Sequence, residues 1–264
     1  MKQVGVIGAG VMGEALIAAL ISYGVSPQSI VISEKRKERA EELTARYGIK
    51  VADLGANVRA ADALLLVVKP QDMAALLDEI KGSINKKAVV ITFAAGKKIG
   101  FIEQALGTGN PVVRVMPNTP TLVGAGMAAV SLGDGVSALQ ADFVSGFLAA
   151  TGKVIEVSED LQDAVTATSG SGPAYFFRFV EAMIAGAKEL GLSESDATTL
   201  TVQTIVGAAK LLDESGKSAT TLRENVTSPN GTTAAALTSF ESEHIGDVVA
   251  NAMKAARDRS QELA

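Results

Sequence analysis

The sequence predicts an α/β N-terminal domain with a mostly parallel sheet, followed by an all-α C-terminal domain. Three observations carry that expectation. Short apolar runs alternate with helix-period segments through the first half of the chain, which is how strands joined by covering helices read. The run Ala63-Leu-Leu-Leu-Val-Val68 contains no polar residue, as in a strand buried on both faces. Past Glu159 every periodic segment has helical spacing. The boundary is therefore expected there, with domains at residues 1–159 and 160–264, and a length of 264 residues suits two domains of ~150 residues.

Composition narrows the classes of function. Hydrophobic residues make up 47%, charged residues 20% and aromatic residues 4%, with no Trp, so the core must be built from Ala, Val, Leu and Ile. A net charge of −5 argues against nucleic acid or an anionic membrane surface as partner. The absence of Cys excludes disulfides, thiol nucleophiles and Cys-based metal sites, and no metal is expected. Two long uncharged stretches, 15–33 and 115–133, are broken by Gly24 and Pro27 and by Pro117, Pro120, Gly124 and Gly126. Neither makes the ~20-residue apolar helix a bilayer requires. The first residues turn at once into strand and glycine loop, unlike a signal peptide, so a cytoplasmic location is expected.

Taken in order, the chain opens on an apolar run at 4–7 that breaks into Gly8, Gly10 and Gly13 and continues as the apolar helix pattern ending near Ile21. That is strand, tight turn and helix, the Rossmann-like dinucleotide fingerprint. Gly8 permits the turn, Gly10 lets backbone approach a pyrophosphate, and Gly13 lets the helix lie close to the strand. Free amides at the helix start favour the anion. Val6, Ile7, Gly8, Ala9, Gly10, Val11, Met12 and Gly13 are thus the first expected cofactor contacts. The next strand, 29–33, ends where the adenosine ribose belongs. Ser33, Lys35 and Arg36 suit a 2′-phosphate while Glu34 opposes it, so NADPH is favoured and NADH stays open.

Further strands are expected at 48–51, 63–68, 88–93, 112–116, 127–131 and 153–157, with helices at 71–80, 99–106 and 138–150. The strand at 63–68 closes on Lys69-Pro70, which forces extended backbone at the carboxyl edge of the sheet, where doubly wound folds bind ligands. Helices follow at 161–169, 173–190, 194–215, 220–226, 232–242 and 245–263. Pro173 suits a first helical turn and Gly191 a C-terminal cap. The loop at 225–233 runs straight into a helix and offers amides at Thr232 and Thr233 with hydroxyls from Ser228 and Thr233. A small carboxylate site and an ordinary N-cap both fit it.

These segments, with Ala94-Ala-Gly96, Arg114-Val-Met-Pro-Asn-Thr-Pro120 and Ser169-Gly-Ser-Gly-Pro-Ala-Tyr175 between them, resemble the pyrroline-5-carboxylate reductase family over essentially the whole chain. The Met-Pro-Asn-Thr-Pro and Ser-Pro-x-Gly-Thr-Thr segments are more specific than the glycine motif. One departure is Asn230, where the family commonly has Gly. The resemblance implies NAD(P)H-dependent reduction of 1-pyrroline-5-carboxylate to L-proline in a homo-oligomer, a dimer or an assembly of dimers. It further implies that Asn57 contacts the cofactor near the ribose, that Val68, Lys69, Pro70, Ala94 and Ala95 line the nicotinamide side, and that Glu159 lies close to the cofactor. Asn225, Ser228, Gly231, Thr232 and Thr233 would hold the substrate, with Thr233 at the ring nitrogen. Without the resemblance, Asn57 reads as a turn residue and Glu159 as an exposed charge at a junction.

Two other functions share parts of this pattern. A 3-hydroxyacid dehydrogenase of similar architecture needs a Lys and an Asn one turn apart on the first long helix of the second domain, where this chain has Phe176 and Val180. A non-catalytic dinucleotide sensor would not require the intact loop at 228–233. His244, the one histidine, lies away from every motif. Reduction of an imine that binds already protonated needs no strong acid.

Overall fold

Central strands that are apolar at every position have to be covered on both faces, and in the computed structural model, which describes residues 1–263, they are. The elements of the first part run β1 (Val4–Ile7), α1 (Val11–Ser22), β2 (Ile30–Ser33), α2 (Lys37–Tyr47), β3 (Lys50–Val51), α3 (Leu54–Ala60), β4 (Ala63–Leu66), α4 (Met73–Ile80) and β5 (Val89–Thr92). They continue with α5 (Ile99–Leu106), β6 (Val112–Met116), β7 (Gly126–Leu132), α6 (Ala138–Ala149), β8 (Gly152–Glu156) and α7 (Gln162–Val165). The eight strands form one sheet in the order β3-β2-β1-β4-β5-β6-β7-β8. All neighbours are parallel except β6 and β7, which pair antiparallel with Arg114 opposite Ser131.

Alternation along the strands divides the core in two. Val4, Val6, Ile30, Ile32, Leu65, Val89 and Ile91 face one side and meet Leu16, Leu20 and Phe147. Ile7, Leu64, Leu66, Val90 and Val112 face the other and meet Leu77, Ile80 and Ile102. At ~25 cal/mol per Å² of apolar area removed from water, these two layers are the main favourable term in the first unit. The carboxyl ends of β1, β2, β4 and β5 are left along one edge, where the loops carrying the expected cofactor residues emerge.

The remaining elements are a π-helical turn (Thr166–Gly170), α8 (Gly172–Glu189), α9 (Glu194–Glu214), α10 (Ala219–Asn225), α11 (Thr232–Ser242) and α12 (Ile245–Glu262). The chain forms two compact units, Met1–Pro173 with Ala255–Ala264, and Ala174–Lys254. Strands stop where the sequence says they should, while the first unit continues through α7 to Pro173 and takes in the last turns of α12. The expected helix at 161–169 is an α-helical turn followed by the π-helical one. The helix expected at 71–80 begins with a 3-10 turn at Pro70–Asp72. Helix α3 was not anticipated. It starts at Asp53, whose carboxylate accepts the Ala56 N–H at 2.8 Å. No helix of the described residues is long and apolar enough to cross a membrane.

Candidate active site

The site residues fall into two groups, one in each unit. In the first, β1 ends at Gly8, which has φ +87°. A Cβ there would lie 2.7 Å from the Val67 carbonyl oxygen, so the turn demands glycine twice over. A Cβ on Gly13 would run into the Gly8 carbonyl, which confirms the close approach of α1 to the turn. The first intrahelical bond of α1 is Glu14 N–H to Gly10 C=O at 3.0 Å. The amides ahead of it, at Val11, Met12 and Gly13, therefore lack intrahelical acceptors, and no side chain caps the helix. A Cβ on Gly10 would meet nothing within 4 Å. Open space over unpaired amides is what a pyrophosphate needs, so these residues fit the group.

Val6 and Ile7, expected among the contacts, place their side chains in the core, which leaves only their backbone at the end of β1 for a ligand. The two side chains are buried in opposite layers, and the turn starts at Gly8. Ala9 is held at both its backbone groups. Its N–H donates to the Glu34 carboxylate at 2.9 Å and its C=O accepts from Arg39 Nε at 3.0 Å. Arg39 in turn is bonded to Glu14, which also accepts from Arg46 and from Tyr47 Oη at 3.0 Å. Burial pushes the Glu14 carboxyl upward, and the hydrogen bonds from Arg39, Tyr47 and Arg46 outweigh it, leaving the group below its usual range. Glu34 behaves alike. Burial raises it, but bonds from the Arg36 side chain, the Arg36 amide and the Ala9 amide bring it down to about 2.

At the end of β2, where the ribose is expected, the side chains bond one another. Ser33 Oγ donates to the Ala52 carbonyl at 3.0 Å and accepts from Asn57 Nδ2 at 3.0 Å. Asn57 itself is 0% exposed, with Nδ2 also donating to the Val31 carbonyl at 3.1 Å. Asn57 thus ties α3 to β2 through its Nδ2, while its buried Oδ1 has no hydrogen-bond partner among the described residues. Lys35 is exposed, and Arg36 is an exposed cation paired with Glu34 at 3.0 Å.

Val68, Lys69 and Pro70 follow β4 at the same edge, Lys69 being exposed. Ala94 and Ala95 follow β5, with Ala94 buried. Glu159 is not an isolated exposed charge: its Oε1 accepts the Ile99 N–H at 2.7 Å and lies 3.3 Å from Arg114 Nη1. Arg114 went unassigned in the sequence, although a lone cation within Val112–Met116 was a signal, since a buried charge has to be paired.

In the second unit, α10 ends at Asn225 and the loop turns through Asn230, with φ +59°. Asn tolerates this left-handed backbone better than other non-glycine residues, so the departure from Gly leaves the turn in place. Gly231 N–H donates to the Ser228 carbonyl at 3.0 Å, and Gly231 C=O accepts from Ala235 N–H at 3.1 Å. Gly231 is the N-cap of α11 and no side chain bonds the helix start. The amides of Thr232 and Thr233 precede the first intrahelical bond, with Ser228 exposed and Thr233 half-buried beside them. An uncapped helix start flanked by two hydroxyls suits a carboxylate.

Residues 159–263 match the family model for pyrroline-5-carboxylate reductase dimerisation, and residues 3–96 match the model for NADP oxidoreductase, coenzyme F420-dependent. The chain is 43% identical to the pyrroline-5-carboxylate reductase of Corynebacterium melassecola, across 100% of this chain and 99% of that one. It is 39% identical to the Pseudomonas aeruginosa reductase, across 99% and 97%. Among solved structures, the Coxiella burnetii reductase has a TM-score of 0.90 at 34% identity, covering 100% of this chain and 98% of that one. The Plasmodium falciparum reductase, solved with NADP bound, has a TM-score of 0.90 at 29% identity, covering 99% and 98%. With the fold shared and identity of 43% and 39% over nearly the full length, the chain belongs to the pyrroline-5-carboxylate reductase family.

Proposed function

We propose that this chain reduces 1-pyrroline-5-carboxylate to L-proline, the final step of proline biosynthesis, with NADPH as the preferred reductant and NADH accepted. The observation that carries the reading is full-length identity of 43% to a reductase of that name. A bound dinucleotide supplies hydride at C4 of its nicotinamide. The chain's own part begins with the amides of Val11, Met12 and Gly13, which hold the pyrophosphate. Lys35 and the exposed Arg36 offer cations for a 2′-phosphate, the reason for preferring NADPH, while Glu34 stays engaged with the Ala9 amide. Val68, Lys69, Pro70, Ala94 and Ala95 line the nicotinamide side.

In the helical unit the Gly231, Thr232 and Thr233 backbone with Ser228 and Asn225 holds the substrate carboxylate, and Thr233 Oγ1 hydrogen-bonds the ring nitrogen. Because the imine binds protonated, the chain has no proton to deliver, and its contribution is position rather than acid catalysis. The reading includes a cytoplasmic location, where a biosynthetic reductase draws on the dinucleotide pool. The test follows reduced-nicotinamide absorbance: its loss on mixing enzyme, NADPH and 1-pyrroline-5-carboxylate, repeated with NADH, and its gain on mixing enzyme, NADP and a 3-hydroxyacid. Turnover with the imine alone, faster with NADPH, is expected. Turnover with the hydroxyacid and none with the imine would overturn the reading.

A further inference from the structure

Arg114 stands on an otherwise apolar strand, is 3% exposed, and the proposed chemistry does not use it. Its two terminal nitrogens go to different carboxylates, Nη1 to Glu159 at 3.3 Å and Nη2 to Asp163 at 3.4 Å. Each carboxylate oxygen that faces Arg114 also holds something else. Glu159 Oε1 accepts the N–H of Ile99, the first residue of α5, at 2.7 Å. Asp163 Oδ1 accepts from Ser260 Oγ, near the end of α12, at 2.7 Å. Ser260 is 2% exposed. The two anchored segments meet at Gly96, which has φ +75°. A Cβ there would lie 2.7 Å from the Ser260 carbonyl oxygen and 2.8 Å from Leu263 Cβ.

We propose that Arg114 is a positioning residue for the nicotinamide half of the site. Through Glu159 and Asp163 it clamps the turn after β5 between the start of α5 and the last turn of α12. The turn concerned is the one that carries Ala94 and Ala95, so the proposal rests on the reading of those residues as the nicotinamide lining. Removing a guanidinium that bridges two part-buried carboxylates leaves both without their counter-charge, a large penalty. Removing only the Ser260 hydroxyl loosens one side of the clamp and leaves the ion pairs intact. Small displacements of a reacting centre cost much in rate: a misplacement of about 1 Å is worth on the order of a hundredfold. Partial loosening should therefore be visible at the nicotinamide end and silent at the adenosine end.

The experiment uses full-length enzyme with Ser260→Ala and Arg114→Lys, the latter keeping the charge but unable to bridge both carboxylates. Three readouts are taken: amide exchange of the peptide spanning 94–99 without ligand, affinity for adenosine 2′,5′-bisphosphate as a probe of the adenosine end, and kcat with saturating NADPH and imine. For Ser260→Ala we expect faster exchange at 94–99, unchanged probe affinity, and kcat lower by roughly three- to tenfold, the size of one lost hydrogen bond. Arg114→Lys should exceed it in the same directions. Should Arg114→Lys fail to fold, Ser260→Ala decides alone. Unchanged exchange at 94–99, or probe affinity falling in parallel with kcat, would overturn the proposal. Failure of the wild type to reduce the imine would strike the functional reading, while the exchange and probe measurements would still decide the clamp.

Discussion

Thr233 and Ser228 sit on the same loop, yet their substitution should give different kinetics, because only one of the groups they meet changes charge during reduction. A contact to the ring nitrogen matters more as hydride arrives, so Thr233→Ala should lower kcat by roughly a few-fold to tenfold, the worth of a neutral hydrogen bond of about 0.5–1.5 kcal/mol. The carboxylate is the same in substrate and product, so Ser228→Ala should chiefly raise KM. Steady-state kinetics on both variants checks the pair, and a pure KM effect in Thr233→Ala would undo the assignment. At this scale the sequence was partly legible. The backbone roles of Gly8, Gly13 and Asn230 follow from what a Cβ or a left-handed φ permits, which is local. The burial of Asn57 within α3 was not legible, because it depends on how β2 and α3 come together. The grip of Glu34 and Arg39 on Ala9 spans up to 30 residues, and no spacing rule announces it.

The β1-turn-α1 unit is held by an ionised Glu34, and this gives the element a pH dependence. Its carboxyl titrates at about 2 in the folded chain against the usual 4.5. A depressed pKa adds stability that is complete above the unfolded value and is lost as pH falls from about 4.5 toward 2. Urea midpoints of the wild type should therefore drop more steeply over that window than those of Glu34→Gln, which is less stable near neutrality; parallel curves would show that the ion does not hold the turn. Elements with strong periodicity, such as Ile99–Leu106 and Val112–Met116, were legible to the residue. Helix α3 was not, since it is one short run containing Gly55 and Asn57, both weak helix formers. The reversal of β7 was readable in principle. Residues 117–125 are all that join it to β6, and a parallel pair needs a crossover of a dozen residues or more.

For the whole molecule, the helical unit carries the surface that calls for a partner. Phe176, Phe177, Leu200, Val206, Leu211 and Val248 are all exposed on it, and large apolar side chains exposed together mark an interaction surface. The matching family model concerns dimerisation and covers residues 159–263. Sedimentation should give at least twice the 27.1 kDa chain mass, and Phe176→Glu with Phe177→Glu should shift it toward monomer with loss of activity. A fully active monomer would refute this.

The sheet, by contrast, is closed to such association. One rim is β3, only two residues long with Lys50 exposed; the other, β8, carries Lys153 and Glu156. Short and charged rims make poor templates for a foreign strand. When the chain is overcrowded before it finds its partner, its stickiness belongs to helices and not to strands. The clumps expected of it are amorphous and helical, not amyloid.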